Sequence, residues 1–371
     1  MKILLHCVYF PPEVGGLESH VYYLARALVA QGHETAVVTS RSLPGLPAEE
    51  DMEGIRVVRT WFPSRSPLGW MAHALGSLPR TRALARWADV IHAQAFPSVV
   101  PGVAGRRVSG APLVATFHTS HFLVRAKKVL WRPILGALVR APDHALAASQ
   151  EIARVAESLA PGTRVEALAN GVETGFFRRV EPSLPDAGVP RIVVPRRLFP
   201  KNGVEFLVRA MPHILREGPV QAVLIGDGPE RGRLEALVAE LGVAAHVTFM
   251  GKRPHGEMPG LLSSGSLAVI PSLMEATSVA ALEAMACELP VVASRVGGLP
   301  EIVDDKVGRL FEPGDPEALA RAVLALLQGG DLPALGARAR ERVMNQWSNH
   351  RLAARHLEIY EELLGRRGSG P

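Results

Sequence analysis

The chain has 371 residues, 47% hydrophobic and 21% charged, with two cysteines and a formal net charge of +5. That length allows two domains with a core each, and the composition is that of a globular protein, which excludes a disordered or collagen-like chain. Cys7 and Cys287 both lie in apolar stretches, so a disulfide scaffold is excluded and a reducing cytoplasm is the expected setting.

The positive excess is confined to the first half: 18 Lys and Arg against 13 Asp and Glu up to Phe176, and 23 against 23 from Phe177 onward. A basic half points to an anionic surface or partner. No nucleic-acid-binding motif accompanies it, so a membrane surface is the expected partner and nucleic acid is not. No stretch approaches the roughly 18 apolar residues that a membrane-spanning helix needs, and the N-terminal run MKILLHCVYFPP lacks a cleavage site and reads as a buried strand.

In chain order, residues 2–10 form that strand, followed by a glycine loop at Gly15 and Gly16 and by a helix with Val21, Leu24, Leu28 and Val29 on its buried face, ended by Gly32. A glycine turn at the first helix of a βαβ unit suits phosphate, but GxGxxG is absent, so the dinucleotide fingerprint fails. Residues 54–62 read as a strand, 63–70 as a mobile loop and 71–87 as a basic helix. Strands follow at 89–94 and 112–119. They place His92, Gln94 and His118 toward carboxyl strand ends, where open α/β sheets bind ligands.

Residues 121–141 form a basic amphipathic stretch that fits either an interfacial membrane helix or a surface helix, with Pro133 as a start or an interruption. Residues 142–149 read as a strand and 150–160 as a helix, and Asn170-Gly171-Val172 as a turn. The segment 177–190 loses periodicity and gains proline, glycine and charge, which marks a linker and a domain boundary.

A second α/β series starts at Arg191, with strands at 192–194, 221–225 and 246–250 and helices at 203–216 and 230–241. Its first strand runs into PRRLFPKNG, where Arg196, Arg197 and Lys201 converge on a loop before a helix. Such a cluster suits a diphosphate, and it also suits a solvated basic loop. Residues 271–301 open with a turn at Pro271-Ser272. Glu275, Ala276, Thr277 and Ser278 follow, then a helix carrying Glu283, a strand at 291–293 and the turn Gly297-Gly298. Capping by Thr277 or Ser278 would leave backbone N–H groups free for phosphate or sugar oxygens. Two acids at a helix start are by themselves ordinary dipole chemistry. A final helix covers roughly 349–365, and the tail GRRGSGP reads as disordered.

The 271–301 segment, with PSL-x-E, EAMA, LPVVAS and VGGLPEIV, resembles the Glu-x7-Glu segment of retaining glycosyltransferases of the GT-B class, family 4. Gly-Gly-x-x-x-His-Val at 15–21, Ala-Thr-Phe-His-Thr at 115–119 and Gly-Asp-Gly-Pro-Glu at 226–230 resemble further motifs of that family, so the likeness covers nearly the whole chain. It implies two Rossmann-like domains facing across a cleft: residues 1–176 on the acceptor side, with a C-terminal helix at 350–371 crossing back, and residues 177–349 on the nucleotide-sugar side.

The resemblance also implies roles. Glu275 lies against the donor sugar with the 276–278 backbone, Glu283 holds the ribose, and His118 faces sugar and phosphate. Gly15 and Gly16 approach the diphosphate, and Gly226 belongs to the donor site. The family form Gly-Arg-Leu-x-x-x-Lys-Gly fits Arg197, but Asn202 stands at its lysine. Arg197 with Lys201 is the preferred diphosphate pair, and Arg196 to Lys201 keeps the spacing instead. The turn Glu-Ala-Thr-Ser replaces the commoner Glu-Gly-Phe-Gly, which leaves the sugar open.

The implied activity is transfer of a sugar from a nucleoside diphosphate sugar to a glycan or lipid-linked acceptor, as in cell-envelope polysaccharide or glycolipid synthesis. No cofactor and no metal is expected, since no Asp-x-Asp motif stands at a strand end. The expected setting is the cytoplasm, at the inner face of the membrane. A nucleotide-sugar epimerase, a phosphorylase (this chain has few lysines to hold pyridoxal phosphate) and an inactive nucleotide-sugar-binding protein are the other readings of the same pattern.

Overall fold

Runs such as Ile3–Leu5, Val37–Val38, Val90–Ile91 and Leu113–Ala115 have no polar face, so as strands they must be covered on both sides. In the computed structural model, which describes residues 1–368 apart from Val14, Thr119 and Gly330, every one of these residues is fully buried. The chain divides into two units: Met1–Asn170 together with the segment from Asn349 on, and Gly171–Ser348.

Unit 1 has eight strands, β1 (Lys2–His6), β2 (Glu34–Ser40), β3 (Glu49–Met52), β4 (Ile55–Thr60), β5 (Val90–Gln94), β6 (Leu113–Phe117), β7 (His144–Ala147) and β8 (Val165–Ala167). Their order in the sheet is β3-β4-β2-β1-β5-β6-β7-β8. Only β3 runs antiparallel, paired with β4. Unit 2 has six, β9 (Arg191–Val194), β10 (Gln221–Ile225), β11 (Val247–Gly251), β12 (Leu267–Ile270), β13 (Val291–Ser294) and β14 (Gly308–Phe311), all parallel in the order β11-β10-β9-β12-β13-β14. In each unit the chain builds outward one way and then the other, so the direction reverses between β1 and β5 and between β9 and β12. Those reversals are where doubly wound sheets hold ligands.

The long parallel runs follow the sequence, and three of its local readings are corrected. Residues 63–70 are not one loop. Ser66 caps a helix, Pro67–Gly76, by accepting from the Gly69 N–H, with Pro67 at the first helical position. The helix expected over 71–87 is two, Pro67–Gly76 and Leu78–Ala85, because Pro79 has no N–H and its ring clashes with the carbonyl four residues back. The stretch 121–141 divides into Ser120–Ala126, a 3-10 turn at Val129–Trp131, and Arg132–Arg140, with Pro133 in the first turn of the last, the helix start it was expected to be.

The third correction is the tail. The closing helix runs from Asn349 to Gly368, so 365–368 are helical, and Ser369–Pro371 lie outside the described residues. The segment 177–190 belongs to unit 2, with the change of units at Asn170/Gly171. Its irregular backbone is tied down there: Val180 and Leu184 N–H donate to the Ser263 and Ser264 hydroxyls, and Ser183 N–H donates to the Gly260 carbonyl.

The closing helix packs into unit 1 through Leu357, Ile359, Tyr360 and Leu363, which join Ile3, Leu5, Leu24 and Val57 in one core. Tyr360 is fully buried, and its hydroxyl bonds the His92 Nδ1 at 2.7 Å. Arg355 clamps Glu166 with two bonds of 2.8 and 2.9 Å. Tyr360→Ala removes a large buried side chain and leaves His92 without that partner, so unit 1 is expected to lose about 3–5 kcal/mol of stability in urea titration. A loss under about 1 kcal/mol would show that the site collapses around the gap.

Candidate functional site

Loops 195–203 and 271–278 leave the carboxyl ends of β9 and β12, which are neighbours at the reversal of unit 2. The first carries a guanidinium onto the second. Arg196 Nη2 donates to Glu275 Oε2 at 2.7 Å, to Ser272 Oγ at 2.6 Å and to Asn202 Oδ1 at 3.0 Å. The Arg196 and Glu275 side chains are 10% and 16% exposed. Arg196 Nε is buried with no partner among the described residues. Asn202 Nδ2 donates to the Arg197 carbonyl at 2.6 Å and holds the turn. Burial pulls the Lys201 ammonium below its ordinary range. The Glu275 carboxylate opposes that pull, and Arg197 and Arg196 add to it. Arg197 itself is exposed, with its guanidinium 5.6 Å from the Phe199 ring. Arg196, not Arg197, is the arginine that reaches Glu275.

Two glycines make this approach possible. Gly297 has φ +55°, and a Cβ there would lie 1.9 Å from the Glu275 carbonyl oxygen. Gly226, with its N–H on the Gly251 carbonyl at 2.9 Å, would carry a Cβ 2.2 Å from the Arg196 carbonyl oxygen. Gly226 therefore seats the Arg196 loop from behind. Beyond Glu275, the Ala276 N–H turns back to Glu275 Oε1 at 3.3 Å, and Ser278 caps the helix Val279–Ala286 by accepting from Ala281 N–H at 3.3 Å. Ala276, Thr277 and Ser278 are buried. Glu283 is the fifth residue of that helix, and loss of solvent around its carboxyl pushes it up to about 8.

In unit 1, Gly16 opens the helix Gly16–Ala30, and the Gly15 carbonyl accepts from Ser19 N–H at 3.0 Å. His118 follows β6 directly. Its Nδ1 bonds Asn170 Oδ1 at 2.9 Å and its Nε2 bonds Gln94 Oε1. His92 does not stand at a strand end. It sits mid-strand, bonded to Thr116 Oγ1 and Tyr360 at 2.7 Å each. His20 packs on His118 at 4.6 Å between ring centroids, and His356 on His92 at 5.2 Å. Both ring nitrogens of His20 and Nε2 of His356 are buried without a partner among the described residues. Burial holds all four imidazoles below their ordinary value, His118 at about 3 and His356 at about 4.

The structure thus joins Arg196, Lys201 and Glu275 in unit 2, and His118, Gln94 and Asn170 in unit 1. It adds Ser272 and Asn202, which the sequence marked only as a turn serine and as the residue standing in place of a lysine. It also adds His356 and Tyr360, which come from the far end of the chain and carry no local signal. Among the described residues, no group of three or more His, Cys, Asp or Glu is placed to hold a metal ion. Cys7 and Cys287 are free and buried, and burial pushes both thiols up to about 12.

Two family descriptions match the chain, Glycosyltransferase Family 4 over residues 14–176 and Glycosyl transferases group 1 over residues 189–329. The D-inositol 3-phosphate glycosyltransferase of Acidothermus cellulolyticus is 31% identical over 359 residues, covering 86% of this chain and 79% of that protein. One polypeptide of the phosphatidylinositol N-acetylglucosaminyltransferase of Arabidopsis thaliana is 29% identical over 347 residues, covering 87% of this chain and 73% of that protein. Sucrose-phosphate synthase from Thermosynechococcus elongatus matches in structure with a TM-score of 0.87 at 25% identity, covering 98% of this chain and 99% of that one. The chain belongs to the group 1, family 4 glycosyltransferases and has their GT-B fold.

The histidine cluster has a consequence for stability. Unfolded histidines titrate near 6.5, and His356 does so at about 4 when folded. The unfolded chain therefore takes up protons first as pH falls. The stability held above about 6.5 is lost on the way down to about 4, at up to about 1.4 kcal/mol per pH unit for each such histidine. Urea titrations between those values are expected to show this slope, reduced by one proton's worth in His356→Gln. An unchanged slope in the variant would take His356 out of the account.

Proposed function

We propose that the chain transfers a hexosyl group from a nucleoside diphosphate sugar to a glycan or lipid-linked acceptor, with retention at the anomeric carbon and without a metal. The observation that carries this reading is the meeting of Arg196, Lys201 and Glu275 at the reversal of the second sheet. Cations beside a carboxylate suit the two ends of one donor. The diphosphate gains negative charge as it leaves, and the sugar offers hydroxyls to an acceptor oxygen.

In this mechanism Arg196, Arg197 and Lys201 stabilise the departing diphosphate, taking the role a metal would otherwise fill. Arg196 has a second duty, since its bond to Glu275 fixes the rotamer in which the carboxylate meets the sugar. The backbone of 276–278 takes further hydroxyls, and Glu283 accepts from the ribose. In unit 1, His118 and the Gly16 N–H are the groups assigned to the sugar and the diphosphate, with His118 held in orientation by Asn170 and Gln94. The lipid-linked acceptor is supported by the Arabidopsis relative, whose name carries phosphatidylinositol, and by the cationic first half of the chain. It sets the enzyme's work at the cytoplasmic face of a membrane, in glycolipid or cell-envelope polysaccharide synthesis.

A thermal-shift screen against UDP, GDP, ADP, TDP and their sugars tests the donor assignment. A ligand at about 100 times its Kd is expected to stabilise the protein by about 2.7 kcal/mol, a rise of a few degrees. With the responding sugar, Arg196→Ala and Glu275→Ala are each expected to lower kcat/KM by about 10²-fold or more. Full activity in Glu275→Ala, or no response to any nucleotide, would remove the donor site from 271–278. Transfer is expected to persist in EDTA, and its abolition there, restored by a divalent cation, would overturn the metal-free mechanism.

A further inference from the structure

Several of the apolar side chains that unit 1 leaves in water stand on two elements. On the helix Pro67–Gly76, Leu68, Met71 and Leu75 recur at spacings of three and four and form one stripe, and all three are exposed, Leu68 to 72%. The helix is turned against the usual rule: its polar His73 is the buried side, bonded to Thr60 Oγ1 at 3.1 Å. Farther along, Val129 and Leu130 are 79% and 84% exposed at the 3-10 turn. The two elements share a neighbour. The Arg125 guanidinium lies 5.0 Å from the Trp70 ring of the helix and 5.1 Å from the Trp131 ring of the turn. Leu68 and Met71 flank Trp70, and Val129 and Leu130 precede Trp131.

The charge around this face has one sign. From Gly54 to Pro142 there are thirteen Lys and Arg and a single acidic residue, Asp89. Lys127, Lys128 and Arg132, which border the turn, are exposed, and no carboxylate pairs with them among the described residues. Apolar tips standing among unpaired cations fit the boundary between acyl chains and anionic headgroups. A nucleic acid would engage the cations but leave Val129 and Leu130 in water.

We propose that this face of unit 1, with Leu68, Met71, Val129 and Leu130 as inserting tips and Lys127, Lys128 and Arg132 as headgroup contacts, docks on an anionic lipid bilayer. It rests on the membrane-facing reading above and assigns it to particular side chains. The docking needs no turnover.

Co-sedimentation of the full chain with phosphatidylcholine vesicles, with and without phosphatidylglycerol, tests it. Binding is expected only with phosphatidylglycerol, and it is expected to weaken between about 0.01 M and 0.15 M salt, as the screening length falls from about 30 to about 8 Å. Each cation removed in Lys127→Ala and Lys128→Ala is expected to weaken partition about five-fold. Leu130→Ser is expected to weaken it further. These side chains are exposed, so the melting temperature and transfer to a water-soluble acceptor are expected to stay unchanged in the variants. Wild-type protein that ignores anionic vesicles at low salt overturns the membrane reading and this face together. Wild-type binding that the variants retain in full overturns the face alone. Self-association that is lost in Leu130→Ser, with no vesicle binding, makes a second copy the occupant and overturns the proposal.

Discussion

A carboxylate and a guanidinium withdrawn from water must answer each other, because either one left alone would be far costlier to bury than the pair. Arg196 and Glu275 stand under that constraint, and much of unit 2 serves it. The parallel order β10-β9-β12-β13 sets the two loops side by side. Gly226 and Gly297 let other backbone lie against the carbonyls of Arg196 and Glu275, where any side chain would collide. Ser272 and Asn202 take the remaining hydrogen bonds of one guanidinium nitrogen. Among the described residues, the buried Nε of Arg196 is left without a partner.

Unit 1 solves a different problem. Four imidazoles and a tyrosine hydroxyl are sunk among apolar strands; His92 is held by Thr116 and Tyr360 and His118 by Gln94 and Asn170, while His20 has neither ring nitrogen partnered among the described residues. Neutral imidazole makes this possible, since it offers one donor and one acceptor and carries no charge to desolvate. Burial, which would strip water from a charged ring, is why these groups resist protonation in the folded state. It also makes His118 a fixed, oriented ring rather than a mobile one.

Much of this was legible in the sequence. The runs around Ile3, Val37, Val193 and Val223 are apolar on both faces, and glycine turns separate them from helices with one apolar stripe, which gives two doubly wound sheets. Glu275, Lys201 and His118 follow strands, so the carboxyl-end rule finds them. Arg196 against Arg197 was not decidable, because two adjacent arginines point to opposite sides of an extended chain and the sequence does not say which side faces Glu275. The closing helix's role was also illegible in detail. Nothing near Tyr360 signals a bond to His92, which lies 268 residues away. The helix breaks at Pro79 and Pro133 carried their own signals, and periodicity alone had run across Pro79.

The chain leaves unit 1 at Asn170, completes unit 2, and returns at Asn349, where Val172 and Ser348 form a bridge at the neck of the insertion. During synthesis the strands of unit 1 emerge before unit 2, yet the helix that supplies Leu357, Tyr360 and Leu363 to their core leaves the ribosome only after it. Unit 2 is closed at its own neck and can finish while its host still waits. For that interval His92 and the β1–β5 core stand open along one side, so the nascent chain's exposure to chaperones and proteases is set by the time taken to translate the inserted unit.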